Sequence, residues 1–270
     1  MSVSRPKVDP ALVIKALLVG GVAGLLSGLF GVGGGVLMVP ALVLALGLDQ
    51  RLAHGVSLTA VVPIAVSGTL SYSLAGEVDW LVAILLAVGA VGGAVVGTHF
   101  LRRLSSRALG YSFAALMFIT ALRMLLDHSE ATGRGSIGLI AAAGLVLIGL
   151  IAGVLAGLLG VGGGIIMVPA MVVGLGMASV LSKGTSLAVI IPTAAMGTWR
   201  NLRNGNTDLL IGGAAGLAGM ASAVLGAKLS VGMSEALSNG LFAGLLVVMA
   251  TQMIWRLTRE SSKKARTGRA

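Results

Sequence analysis

Gly28 to Ala41 reads GLFGVGGGVLMVPA, and Gly157 to Ala170 reads GLLGVGGGIIMVPA, with eleven of fourteen positions identical at an offset of 129 residues. A repeat of this kind constrains the fold before any local feature does, because each unit must bury its faces against its copy. The offset runs on without a gap. Gly47 matches Gly176, and Gly55, Ser57 and Leu58 match Gly184, Ser186 and Leu187. Pro63 matches Pro192, Gly76 and Asp79 match Gly205 and Asp208, Gly97 matches Gly226, and Phe113 matches Phe242. The chain therefore divides into an N-terminus (1–10), a first unit (11–126), a linker DHSEATGRGS (127–136), a second unit (137–256) and a basic tail (257–270).

Of the 270 residues, 56% are hydrophobic and only 10% are charged, against about 25% charged in a soluble domain. Five apolar segments fall in each unit, near 11–30, 36–47, 54–74, 80–101 and 107–126, and again near 137–159, 165–176, 184–199, 208–229 and 235–256. The longer ones approach the ~20 residues that cross a bilayer as a helix, and the second of each unit is too short to do so. The expected fold is all-α, a polytopic transmembrane helical bundle. An odd number of segments turns the second unit over relative to the first, which makes two inverted five-segment repeats, each with a Gly-rich broken or re-entrant helix pair.

Charge placement favours the same topology, since Lys- and Arg-rich loops stay cytoplasmic. With the N-terminus inside, the inner loops hold Arg51, then Arg102, Arg103 and Arg107, then Arg200 and Arg203, then the stretch after Trp255, which carries six of the nineteen basic residues. The outer ends hold Arg123, Arg134, Lys183 and Lys228 together with Glu77, Asp79, Asp127, Glu130 and Glu235. The expectation is ten membrane segments in the plasma membrane with both termini cytoplasmic. The basic tail reads as a solvated segment near anionic lipid, not as a nucleic-acid arm, because no aromatic residue interrupts it. The N-terminal run resembles a signal peptide, but it continues into the repeated motif and is read as a retained first helix.

A run of glycines at membrane depth survives only inside protein or along a water-filled cavity, where its backbone groups find partners. GVGGG is thus expected to be a buried turn between a long helix and a short return helix starting near Val36 or Ile165. The return helix aims unpaired N–H groups and a partial positive charge at the turn, which makes an anion site without a basic side chain. Candidate substrate-binding residues are Gly33, Gly34 and Gly35 with Gly162, Gly163 and Gly164. The steps Gly20, Gly24, Gly28 and Gly89, Gly93, Gly97 read instead as close helix packing.

The third segment of each unit adds polar groups. Ser57, Ser186 and Thr185 can donate to anion oxygens, or can bond their own helix. His54 and Lys183 occupy equivalent positions. Lys183 is read by default as a snorkelling residue at the interface, with anion contact as the alternative, and His54 as a pH-responsive group. Arg200, beside Trp199, is read as an interfacial anchor. Pro40, Pro63, Pro169 and Pro192 are candidate hinges, since proline removes a helix hydrogen bond.

What the chain lacks narrows its chemistry. It has no cysteine, which removes disulfides and thiolate chemistry. Every acid falls in a loop or near a segment end, so no mid-membrane carboxylate offers a proton relay. GVGGGV lacks the Lys-Ser/Thr of a phosphate loop, and neither a nucleophile–base pair nor a metal-ligand cluster is visible. No enzyme activity, cofactor or metal is expected.

The paired GxxGVGGGxxMVPA, with KGTSLAVIIPTAAMGT downstream of its second copy, resembles the TauE/SafE family of sulfite and organosulfonate exporters over nearly the whole chain. The resemblance implies a transporter of sulfite, sulfoacetate or other small sulfonates, with export favoured. The residues themselves give only a small anion. A carboxylate substrate and a non-transporting accessory subunit stay as alternatives. The expected partners are a small anionic substrate and the lipid bilayer, with a homodimer compatible and no nucleic acid.

Overall fold

The computed structural model describes residues 9–100, part of 114–126, 138–159 and 163–267. All regular structure among the described residues is helical. The helices are α1 (Pro10–Phe30), α2 (Gly35–Leu46), α3 (Gln50–Leu74), α4 (Trp80–Phe100), α5 (Leu139–Leu159), α6 (Gly164–Leu175), α7 (Ser179–Arg203), α8 (Leu209–Gly232) and α9 (Glu235–Thr267). The described residues between Ala114 and Leu126 are helical as well. Both bounds of α1, α2 and α3 return 129 residues later in α5, α6 and α7, and so does the start of α4 in α8. The linker 127–136, the basic group Arg102, Arg103 and Arg107, and Gly162 lie outside the described residues.

Among the described residues, α1, α3, α7 and α8 are each long and apolar enough to cross a membrane. The 12 residues of α2 and of α6 reach about 18 Å at ~1.5 Å per residue, well short of a ~30 Å hydrocarbon core. Glycine sets both ends of these short helices. Gly34 and Gly163 precede them at φ 70° and φ 81°. Gly47 and Gly176 close them at φ 67° and φ 62°, donating to Leu42 O and Met171 O.

Aspartates cap α3, α4 and α8, accepting from the orphan N–H groups of the first turn. Asp49 takes the Arg51 N–H. Asp79 takes those of Leu81 and Val82, and its repeat partner Asp208 takes those of Leu210 and Ile211.

The halves pack through contacts that occur twice. A methyl built on Gly20, Gly24 or Gly28 of α1 would fall on the carbonyl of Ala215, Gly219 or Ala223 of α8. One built on Gly149 or Gly153 of α5 would fall on the carbonyl of Leu86 or Ala90 of α4. Both members of the Gly20–Ala215 and Gly24–Gly219 pairs are displaced by 129 in the Gly149–Leu86 and Gly153–Ala90 pairs. Only residues without Cβ let two helix backbones approach this closely. Residue numbers rise together in these contacts, so α1 runs parallel to α8 and α4 parallel to α5.

The counterparts α3 and α7 do the opposite. Leu187 of α7 packs on Gly68 of α3, and Leu58 of α3 packs on Gly197 of α7, so these two helices cross antiparallel. Leu58, Val61 and Ala65 meet Leu187, Ile190 and Ala194 there in one apolar cluster, and each of these three pairs is again related by 129 residues.

Candidate functional site

The turn from α1 to α2 needs its glycines. Gly31, Gly33 and Gly34 take φ 69°, 78° and 70°, a left-handed conformation that strains an L-residue by about 1–2 kcal/mol each. The turn is buried. Gly31 lies directly against the backbone of Lys183, and Gly33 packs on Ile190 of α7 and Val61 of α3.

The start of α6 meets the same turn. A Cβ on Gly164 would lie 2.7 Å from Gly31 O, 2.8 Å from Val32 Cα and 2.9 Å from Ser186 Oγ. The glycine motifs of the two units therefore touch, and Ser186 stands at their junction. Ser186 is fully buried, and among the described residues its hydroxyl has no hydrogen-bond partner. Ser27, fully buried and likewise without a partner, lies beside Gly34.

Lys183 departs from its expected place. It is 1% exposed, so it does not snorkel. The α1–α2 turn, α8 and α9 meet α7 at Lys183, and the ammonium takes its partners there. Its Nζ donates to Ser238 Oγ at 2.6 Å and to Ser230 Oγ at 3.4 Å. It also lies 6.0 Å from the Phe30 ring and 5.6 Å from the Phe242 ring, within cation–π range. Among the described residues no carboxylate pairs with it.

The remaining candidates are spread more widely. Thr185 donates to Leu181 O at 2.7 Å and accepts from the Asp79 N–H at 3.0 Å, so its hydroxyl ties α7 to the start of α4. Ser57 is fully buried, and both it and the half-buried His54 are engaged. Gly35 is the first residue of α2, and Gly163 caps the start of α6. Pro40, Pro63, Pro169 and Pro192 lie inside α2, α3, α6 and α7.

Sequence reasoning passed over Ser27, Ser230, Ser238 and the two phenylalanines. Only Ser27 carried a usable signal, as a hydroxyl one helical turn before the glycine motif. The others reach Lys183 from α8, α9 and the end of α1, a convergence that the tertiary fold creates.

Asp49, Asp79 and Asp208 accept from the backbone as helix caps. Asp79→Asn and Asp208→Asn should each lower stability by about 1 kcal/mol or less while leaving most of the transport rate in proteoliposomes. Complete loss of transport with a retained fold, in either variant, would place that carboxylate in the transport path.

The profile of the family described as sulfite exporter TauE/SafE matches residues 2–124 and 145–270. A probable membrane transporter protein of Xylella fastidiosa (strain 9a5c) is 26% identical over 254 residues, covering 91% of this chain and 97% of its own. The probable membrane transporter protein YunE of Bacillus subtilis (strain 168) is 25% identical over 218 residues, 72% of this chain and 80% of its own. A probable membrane transporter protein of Haemophilus influenzae is 30% identical over 166 residues, 58% of this chain and 61% of its own. No solved structure matches the chain.

Proposed function

The chain belongs to the TauE/SafE family of membrane transporters, and from that premise we propose that it carries a small oxyanion, sulfite or a small organosulfonate, outward across the membrane. The observation that carries this reading is Lys183. An ammonium held in a membrane helix without a carboxylate partner is expensive to bury. Two hydroxyls and two ring faces offset part of that cost, and an arriving anion supplies the missing countercharge.

The rest of the site fits the same ligand. Ser186 offers an unused hydroxyl at the junction of the two glycine motifs. The N-termini of α2 and α6 add backbone N–H groups, which favour anions over cations and neutral solutes. Ser57 and His54 of α3 and Thr185 of α7 stand in this proposal as supporting contacts. A small carboxylate would meet the same groups, so selectivity for sulfur oxyanions rests on the family resemblance.

The transport cycle in this proposal is an exchange between inverted halves. Antiparallel packing of α3 against its counterpart α7, and the doubled contact of α1 with α8 and α5 with α4, support reading the units as inverted copies. Each unit then adopts the conformation of the other in turn, opening the site to opposite sides. Bending is assigned to the glycine turns and to Pro40, Pro63, Pro169 and Pro192, where helix hydrogen bonds are missing.

The direct test is efflux of radiolabelled sulfite from proteoliposomes containing the purified protein. Saturable efflux, competed by sulfoacetate and not by choline, is the expected result. Absence of flux for sulfite, sulfonates and small carboxylates alike would overturn the proposal and leave an accessory role.

A further inference from the structure

Lys183 has a counterpart at the other end of its own helix. Arg200 lies seventeen residues further along α7, about 26 Å at ~1.5 Å per residue. Beside it is a cavity of about 130 Å³, lined by Thr193, Arg200, Asn201 and Asn204 against Leu58 of α3 and Ala94 of α4. At ~30 Å³ per water, that is room for a small oxyanion.

Arg200 does not behave as the interfacial anchor expected from its place beside Trp199. Its Nη1 donates to Ala94 O at 2.7 Å, which lays the guanidinium along the cavity wall. The anchoring pair is Arg203 and Trp199. The Arg203 guanidinium stacks 4.0 Å from the indole of Trp199, which is 47% exposed.

The cavity is written into the sequence as a break in the repeat. The residues 129 positions before Arg200, Asn201 and Asn204 are Ser71, Tyr72 and Ala75. Tyr72 is fully buried and reaches from α3 to α1, donating to Gly28 O at 2.7 Å. Its counterpart Asn201 is shorter and bonds within its own helix, to Gly197 O at 2.9 Å. That leaves space before Ala156 of α5, which completes the cavity wall. One half thus fills with a tyrosine ring the place where the other half holds a cavity lined with an arginine and two asparagines.

We propose that the Arg200–Asn201–Asn204 cavity is a binding station for a small oxyanion, separate from the Lys183–Ser186 site and joined to it along α7. The inference rests on the reading of the chain as an anion transporter. A guanidinium presents its donors in a fixed fork that matches the oxygens of a sulfonate or carboxylate, and the asparagine amides add neutral donors. A positive charge in a low-dielectric cleft also raises the local anion concentration. With Lys183 at one end of α7 and Arg200 at the other, the path carries a cation near each end, and the anion passes between two binding sites.

Equilibrium binding of radiolabelled sulfite tests this without turnover, so that its failure is separable from failure of the efflux assay. The protein is Lys183→Met in nanodiscs of neutral phosphatidylcholine, which isolates the second station. Sulfite binding should persist there, weaken at least tenfold with Arg200→Gln added, and return in large part with Arg200→Lys. Asn204→Asp should also weaken it at least tenfold by placing a carboxylate at the cavity. Asn204 is exposed and leaves the Arg200–Ala94 bond intact, so this variant decides the question if Arg200→Gln fails to fold. No binding to the Lys183→Met protein, or binding unchanged within twofold by Asn204→Asp, would overturn the proposal. So would sulfite affinity that falls as phosphatidylglycerol replaces phosphatidylcholine, which would assign the cavity to a lipid phosphate.

Discussion

Lys183→Met is expected to lower sulfite efflux from proteoliposomes at least a hundredfold while leaving the protein about as stable as before. The two halves of this expectation have one cause. A unit charge about 4 Å from an anion, at an effective dielectric near 20, is worth about 4 kcal/mol, and each ~1.4 kcal/mol is a factor of ten. Part of that gain goes to stripping water from the anion, so a hundredfold is the smaller figure. Stability answers to the other side of the balance. Removing a buried, unpaired charge relieves its desolvation penalty, and Met fills nearly the same volume between Phe30 and Phe242. The two orphaned hydroxyls of Ser230 and Ser238 take back about 1–3 kcal/mol each at most. A lysine that served only structure would show the reverse, a destabilised protein whose folded fraction still transports. Melting temperature and efflux on the same preparation separate the two.

Gly164→Ala should abolish transport at the price of one overpacked methyl. Gly164 opens α6 with helical backbone, so alanine carries no backbone strain there. Its Cβ would nonetheless stand within 3 Å of Gly31 O, Val32 Cα and Ser186 Oγ, the junction proposed to hold the anion. Overpacking of this size lowers stability by about 1–3 kcal/mol, while efflux should drop to the level of empty liposomes. Gly34→Val is a less clean probe, since Gly34 sits at φ 70° and its Cβ would also approach Ala23 O at 2.8 Å. Efflux within twofold of wild type in the Gly164→Ala protein would make the junction a packing element only.

The helices could be read from the chain largely because it states them twice. A short second segment in both units announced α2 and α6 to within a residue, and glycine at matched positions gave their ends. Boundaries slipped where polar residues interrupt the apolar run. The segment expected at 184–199 is α7, Ser179–Arg203, because Ser182, Lys183 and Arg200 count against a membrane helix in sequence, whereas in the bundle Ser182 is buried, Lys183 reaches Ser230 and Ser238, and Arg200 reaches Ala94 O. For the same reason α3 begins at Gln50, under the Asp49 cap, and not near His54. α9 continues to Thr267, past the expected end near 256.

Site chemistry was less legible. The glycine motifs pointed to one buried location, but the partners of Lys183 come from three other helices at separations no local pattern encodes. The cavity at Arg200 depends on a difference between the repeats, Asn201 against Tyr72, and matching the units by their identities hides such a difference.

A density map of the protein with selenite, whose selenium scatters anomalously and marks the place of a bound sulfite, tests the proposed anion site most directly. A selenium peak is expected at the junction of the α1–α2 turn with Gly164, within reach of Lys183 and Ser186 and close to the crossing of α3 and α7. A weaker second peak at Arg200 is compatible with it. A peak confined to one unit and far from that crossing, with none at the junction, would contradict it.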